Sequence, residues 1–179
     1  REKQQTHEEQ LKSIKLVYDA TKDLTDTHIL FVGGEIFAEK NTIINSQLFE
    51  LFKLTCEKMS KNEIELCYIN TNILYDIHEL LLPILNMIKD YKLENRIHFT
   101  TSGDGDGRFA NSFSMKQFYF NLTEIRNLFP DLLIYVNIIL TRSFCNDILS
   151  EKFNIAEYEN NYNVKVNTIP YIKFGKDIK

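Results

Sequence analysis

Short runs rich in β-branched, leucine and aromatic residues, each separated from the next by a stretch of helical spacing, constrain this chain more than any single residue does. Residues 29–32, 64–69, 97–101, 132–140 and 164–169 are such runs and read as strands. Between them Leu48, Leu51, Phe52, Cys56 and Met59 recur at helical intervals, as do Ile77, Leu80, Leu81, Ile84, Ile88 and Tyr91, and then Met115, Phe118, Leu122, Ile125 and Leu128. A further stripe, Leu11, Ile14, Val17, Tyr18 and Leu24, precedes the first strand, and a short helix is expected near residues 147–153. Asp76 and Glu79 are spaced as a capping pair, Pro83 kinks the helix that follows or moves its start, and Pro130 ends the next one. Strands that are apolar throughout belong to a parallel sheet covered on both sides or closed into a barrel, so the expected fold class is α/β.

The chain has 179 residues, 44% of them hydrophobic, which suits one domain spanning residues 1–179. A net charge of −4 gives no broad electrostatic case for gripping nucleic acid. No stretch approaches the roughly twenty apolar residues of a membrane span, and no signal peptide opens the chain, so no membrane partner and a cytoplasmic location are expected. Cys56, Cys67 and Cys145 lie far apart, without zinc or disulfide spacing, and Cys56 and Cys67 read as small buried hydrophobes. The four histidines show no metal spacing, and His98 alternates within a strand as a core or sheet residue. Asp104-Gly105-Asp106-Gly107 has Met115 where a calcium loop needs its glutamate. Asn121-Leu122-Thr123 is a sequon inside a helix, and the acidic, Asn-rich residues 157–163 read as a surface connection.

Five polar corners stand just past the strands: Gly33-Gly34-Glu35, Asn70-Thr71-Asn72, Ser102-Gly103-Asp104, Thr141-Arg142 and Pro170-Tyr171. In a parallel α/β fold the carboxyl ends of the strands open on one side, where ligands bind, so these corners outline one pocket. A glycine turn lets backbone carbonyls approach an ammonium closely, and short hydroxyl and carboxylate side chains pair with sugar hydroxyls.

The order strand, Gly-Gly-Glu, helix, strand, Thr-Asn, helix, strand, Ser-x-Asp resembles the core of the radical S-adenosylmethionine superfamily across nearly the whole chain. Ser102-Gly103-Asp104 running into Asp106-Gly107-Arg108-Phe109 is similar to a motif of its bacterial and phage-encoded branches. The resemblance implies a partial (β/α)6 barrel with outer helices and S-adenosylmethionine as cofactor. Gly33, Gly34 and Glu35 would receive the methionine ammonium, and Ser102 and Asp104 would lie near its carboxylate or the ribose hydroxyls. Thr71 and Asn72 match the family's Thr-Asn turn, and Arg142 would pair with the cofactor carboxylate. Ile36 stands where the family favours proline, and Ile73 where it favours glycine.

The resemblance also implies a [4Fe-4S] cluster held by a Cys-x-x-x-Cys-x-x-Cys loop, an electron donor, and cleavage of the cofactor to a 5′-deoxyadenosyl radical that takes hydrogen from a substrate. That loop does not occur between Arg1 and Lys179, so the first strand and the cluster ligands are expected upstream of Arg1. The alternative is a non-enzymatic descendant, a barrel kept as a scaffold or virion-associated interaction module with a protein partner. The abundance of Ile, Lys and Asn fits an AT-rich genome, such as that of a low-GC bacterium or its phage.

Overall fold

A computed structural model describes residues 7–21, 23–24, 26–31, 35–38, 42–103 and 112–170 of the chain. Five strands, β1 (His28–Phe31), β2 (Leu66–Asn70), β3 (Ile97–Ser102), β4 (Leu133–Leu140) and β5 (Lys165–Pro170), form one all-parallel sheet in the order β1-β2-β3-β4-β5. Around it run α1 (His7–Thr21), α2 (Thr42–Ser60), α3 (Leu81–Asp90), α4 (Ser112–Leu128), α5 (Arg142–Leu149) and α6 (Ile155–Tyr162). Strand order follows chain order, and crossovers of one hand between such strands deliver every helix to the same face of the sheet.

Burial follows that logic. Along β3 the side chains alternate between buried and half-buried, and the register aligns Cys67, Ile97 and Ile134 with their buried neighbours Ile69, Phe99 and Val136 on one face. These residues share a single hydrophobic cluster with Phe52, Cys56 and Met59 of α2, Ile84 and Ile88 of α3, and Phe118, Leu122 and Ile125 of α4. Each fully buried side chain of this kind stabilises the fold by about 1.5–3 kcal/mol. The alternate set, including Tyr68, His98 and Tyr135, stays half-buried and outside the cluster. Among the described residues, coverage on both sides is therefore not what the apolar runs report. Tyr68 and Tyr135, which count as apolar in the sequence, lie on the second face of β2 and β4.

Several local expectations are corrected. Of the two expectations for Pro83, the moved start holds and the kink does not: α3 begins at Leu81, later than Ile77 of its stripe, with Pro83 in the first turn, where a proline's missing N–H removes no helical bond. The Asp76–Glu79 pair caps nothing, because α3 starts at Leu81 and Asp76 instead accepts from the His78 N–H at 3.0 Å. Leu24 and Leu128 are 60% and 45% exposed, one beyond the end of its helix and the other in its last turn. The region after β4 holds two helices rather than one, because it carries two N-caps. Thr141 accepts from the Phe144 N–H at 3.2 Å and Asn154 from the Glu157 N–H at 3.1 Å. The second helix, α6, takes up most of the acidic stretch expected to be a connection, and its Tyr158 is buried. Pro170 ends β5, while Tyr171 lies outside the described residues.

Candidate functional site

At the carboxyl ends of β1 and β2, the Glu35 carboxylate joins two corners. Oε1 accepts from the Thr71 hydroxyl at 2.7 Å and from the Phe37 N–H at 3.3 Å, while Oε2 accepts from the Asn72 N–H at 2.6 Å. Hydrogen bonds to a charged acceptor contribute about 1.5–3 kcal/mol each, so Glu35 acts as a staple between the loops. Thr71 is buried and has one proton, which it gives to Glu35; its oxygen then accepts from the Tyr75 hydroxyl at 2.8 Å and the Ile73 N–H at 3.3 Å. Burial, with the Glu35 carboxylate adding to it, pushes the Tyr75 phenol well above its ordinary range, so it remains a donor at neutral pH.

The turn after β2 is held in an unusual shape. Fully buried Ile73 has φ of 51°, the left-handed region that a β-branched residue rarely enters. Asn72 Oδ1 accepts from the Leu74 N–H at 2.8 Å. From α4, buried Asn121 donates to the carbonyls of Ile73 at 2.8 Å and Tyr75 at 2.9 Å, and accepts from Gln117 at 2.9 Å. Both N–H donors of that amide thus brace the turn, while Gln117 of the same helix holds its oxygen, and the sequon at Asn121 is a packing feature.

Ser102 closes β3 on the face away from the helices, in register with Asn137 of β4. Gly103 follows, its N–H donating to the Asn137 carbonyl at 3.0 Å. A Cβ at this position would lie 2.6 Å from Val136 Cγ1 and 3.3 Å from the Tyr158 hydroxyl, so glycine is required on steric grounds. Arg142 opens α5 with an exposed side chain. Of the predicted site residues, then, Glu35, Thr71 and Asn72 are in direct contact, while Ser102 ends β3 and Arg142 opens α5 just past the end of β4, on the same rim. Gly33, Gly34 and Asp104 lie outside the described residues.

Sequence reasoning missed Tyr75, Asn121, Asn137 and Asn167. Asn121 had a readable signal, since it falls on the helical stripe with Phe118, Leu122 and Ile125. Asn137 interrupts an otherwise apolar strand, and its Oδ1 accepts from Asn167 Nδ2 at 3.2 Å. A hollow of about 530 Å³ lies elsewhere, between α4 and α6, lined by Tyr119, Phe120, Glu124, Leu128 and Tyr162. It sits in the helix layer, away from the strand ends.

The cysteines do not fit an iron–sulfur cluster. Cys56 and Cys67 are buried on α2 and β2, and burial pushes the Cys56 thiol up to about 12 and that of Cys67 higher still, whereas a cluster needs thiolates. No group of three or more His, Cys, Asp or Glu side chains among the described residues could hold a metal ion. No helix among them is long and apolar enough to cross a membrane. The sequence matches no protein-family model and no curated protein.

Proposed function

We propose that the chain is a radical S-adenosylmethionine-like core, a partial (β/α)6 barrel that binds S-adenosylmethionine across the carboxyl ends of β1 to β4. The observation that carries this reading is the coincidence of a singly wound parallel sheet with the shape of the Thr71-Asn72-Ile73 turn. Where the resembled family favours glycine, Ile73 keeps the left-handed backbone that glycine adopts most easily, at a cost of about 1–2 kcal/mol. Glu35 and Thr71 use most of their hydrogen-bonding capacity on each other and on the loops, so their part is to shape the rim. Gly33 and Gly34 would offer carbonyls to the ammonium, Asp104 and Ser102 would meet the ribose hydroxyls or carboxylate, and Arg142 would neutralise the carboxylate. The reaction that the resemblance implies needs a cluster and an electron donor. Because the chain's own cysteines do not fit a cluster, no step of that reaction is assigned to its residues.

A second reading, a scaffold or virion-associated interaction module that has lost the chemistry, is favoured by the engagement of the Glu35 carboxylate and the burial of Cys56 and Cys67. Calorimetric titration of the purified chain with S-adenosylmethionine separates the two. Saturable binding with a Kd below about 1 mM, lost on Arg142→Ala with Ser102→Ala, supports the cofactor reading. No heat of binding up to millimolar cofactor overturns it and leaves the scaffold.

A further inference from the structure

The turn after β2 is pinned from outside itself. Ile73 stands in the left-handed region at φ 51°, without the freedom of a glycine to rest there. Its N–H donates to Thr71 Oγ1 at 3.3 Å, a bond from within the loop, and its carbonyl accepts from Asn121 Nδ2 at 2.8 Å, a bond from α4. With a polar group held on each side, the residue cannot turn toward a right-handed or extended shape without giving one of them up. The other Asn121 proton goes to the Tyr75 carbonyl at 2.9 Å, and the Tyr75 hydroxyl in turn donates to Thr71 Oγ1 at 2.8 Å. One amide therefore fixes two routes to the Glu35 carboxylate, one through Ile73 and Asn72 and the other through Tyr75 and Thr71. Asn121 itself is 1% exposed, and Gln117 Nε2, one turn back on α4, donates to its oxygen at 2.9 Å and so fixes the orientation of the amide.

We propose that Asn121 is a positioning residue for the rim: it keeps Ile73 left-handed, and through that shape it keeps the Asn72 N–H on Glu35 and the corner open to the cofactor. A backbone shape that glycine adopts unaided is obtained here from a side-chain amide 48 residues further along the chain. Removing the amide leaves two carbonyls without their donors inside the fold and frees Ile73 to relax. The Ile73 side chain is fully buried and held by the core, so the loop around Asn72 takes up the movement. The link from the turn to the cofactor rests on the reading proposed above. The link from Asn121 to the turn does not.

Amide NMR of the isotope-labelled full chain tests both links. In the native chain the Asn72 N–H, bound to a carboxylate at 2.6 Å, should resonate well downfield and exchange slowly with solvent. Asn121→Leu, similar in volume but without donors, should move that signal upfield, speed its exchange and weaken S-adenosylmethionine binding at least about tenfold. If that variant does not fold, Gln117→Ala, at a half-buried position, frees the amide to rotate and should move the signal the same way by a smaller amount. Ile73→Gly, added to whichever background folds, should bring the Asn72 signal and the affinity back, although loss of the buried side chain lowers the unfolding midpoint further. Ile73→Asn, the next residue to enter the left-handed region readily, serves where the glycine variant does not fold. A residue that mattered for stability alone would give the opposite pattern, with both substitutions lowering the midpoint and the second restoring nothing. The proposal is overturned if the folded variant keeps the native Asn72 signal, or if the substitution at Ile73 fails to restore a displaced one. A native chain that does not bind S-adenosylmethionine sinks the cofactor reading alone, and the Asn72 signal then decides the positioning role by itself.

Discussion

At the scale of single residues, the rim depends on a few groups with no spare partners. Thr71→Val removes the donor to Glu35 and leaves the Tyr75 hydroxyl unpaired where it is largely buried. Leaving a buried polar group unsatisfied costs about 1–3 kcal/mol, so the urea midpoint of Thr71→Val should fall accordingly, while Thr71→Ser, which keeps the hydroxyl, should recover at least half of the loss. Gly103→Ala drives a methyl group into Val136 Cγ1 and should cost about 1–3 kcal/mol by the same measurement. His98 supplies a pH dependence with a defined sign. Its folded-state pKa is depressed below the ordinary 6.5, first by burial and then by His28, so the unfolded chain binds the proton more readily. Its stabilising contribution is complete above about pH 6.5 and is lost as pH falls. Unfolding midpoints should therefore drop between pH 7.5 and 5 by a larger amount for the native chain than for His98→Gln. Equal drops would show that another group governs that window.

At the scale of elements, the ends of helices and strands are where the fold is fastened. Arg96, between α3 and β3, donates to the carbonyls of Met59 at 2.8 Å and Glu65 at 2.9 Å, to the Ile64 carbonyl and to Asn62. It thereby ties the end of α2 to the start of β2. Arg96→Ala should cost about 2–3 kcal/mol in thermal or urea unfolding, and Arg96→Lys should recover little, since an ammonium cannot reproduce the planar fork. The elements themselves were largely legible from period alone: all five strands and the stripes of α2, α3 and α4 follow from where Phe52, Ile84, Phe118 and their neighbours recur. Boundaries were not, because they depend on caps such as Thr141 and Asn154, whose capping bonds depend on the backbone shape at that point. Nor was the one-sided burial of the sheet, since Tyr68 and Tyr135 count as apolar in a pattern while their rings lie outside the core. At the site, Glu35, Thr71 and Asn72 could be named as neighbouring corners. That the carboxylate faces inward to staple two loops depends on Asn121 and Tyr75, which lie far along the chain or read as packing.

At the scale of the whole molecule, strand order decides what the sheet is for. A sheet wound in one direction puts its helices on one face and its loops on one rim, so Glu35 after β1 meets Thr71 and Asn72 after β2 although they are 36 and 37 residues apart in sequence. On the proposed reading the rim takes the cofactor. Backbone amide NMR of the labelled chain during addition of S-adenosylmethionine tests this arrangement most directly. The account predicts that Asn72, Ser102, Gly103 and Arg142 shift together along one saturation curve, while amides at the opposite ends of the strands, such as Leu66 and Leu133, stay unmoved. Shifts confined to the hollow between α4 and α6, or no shifts at all, would contradict it.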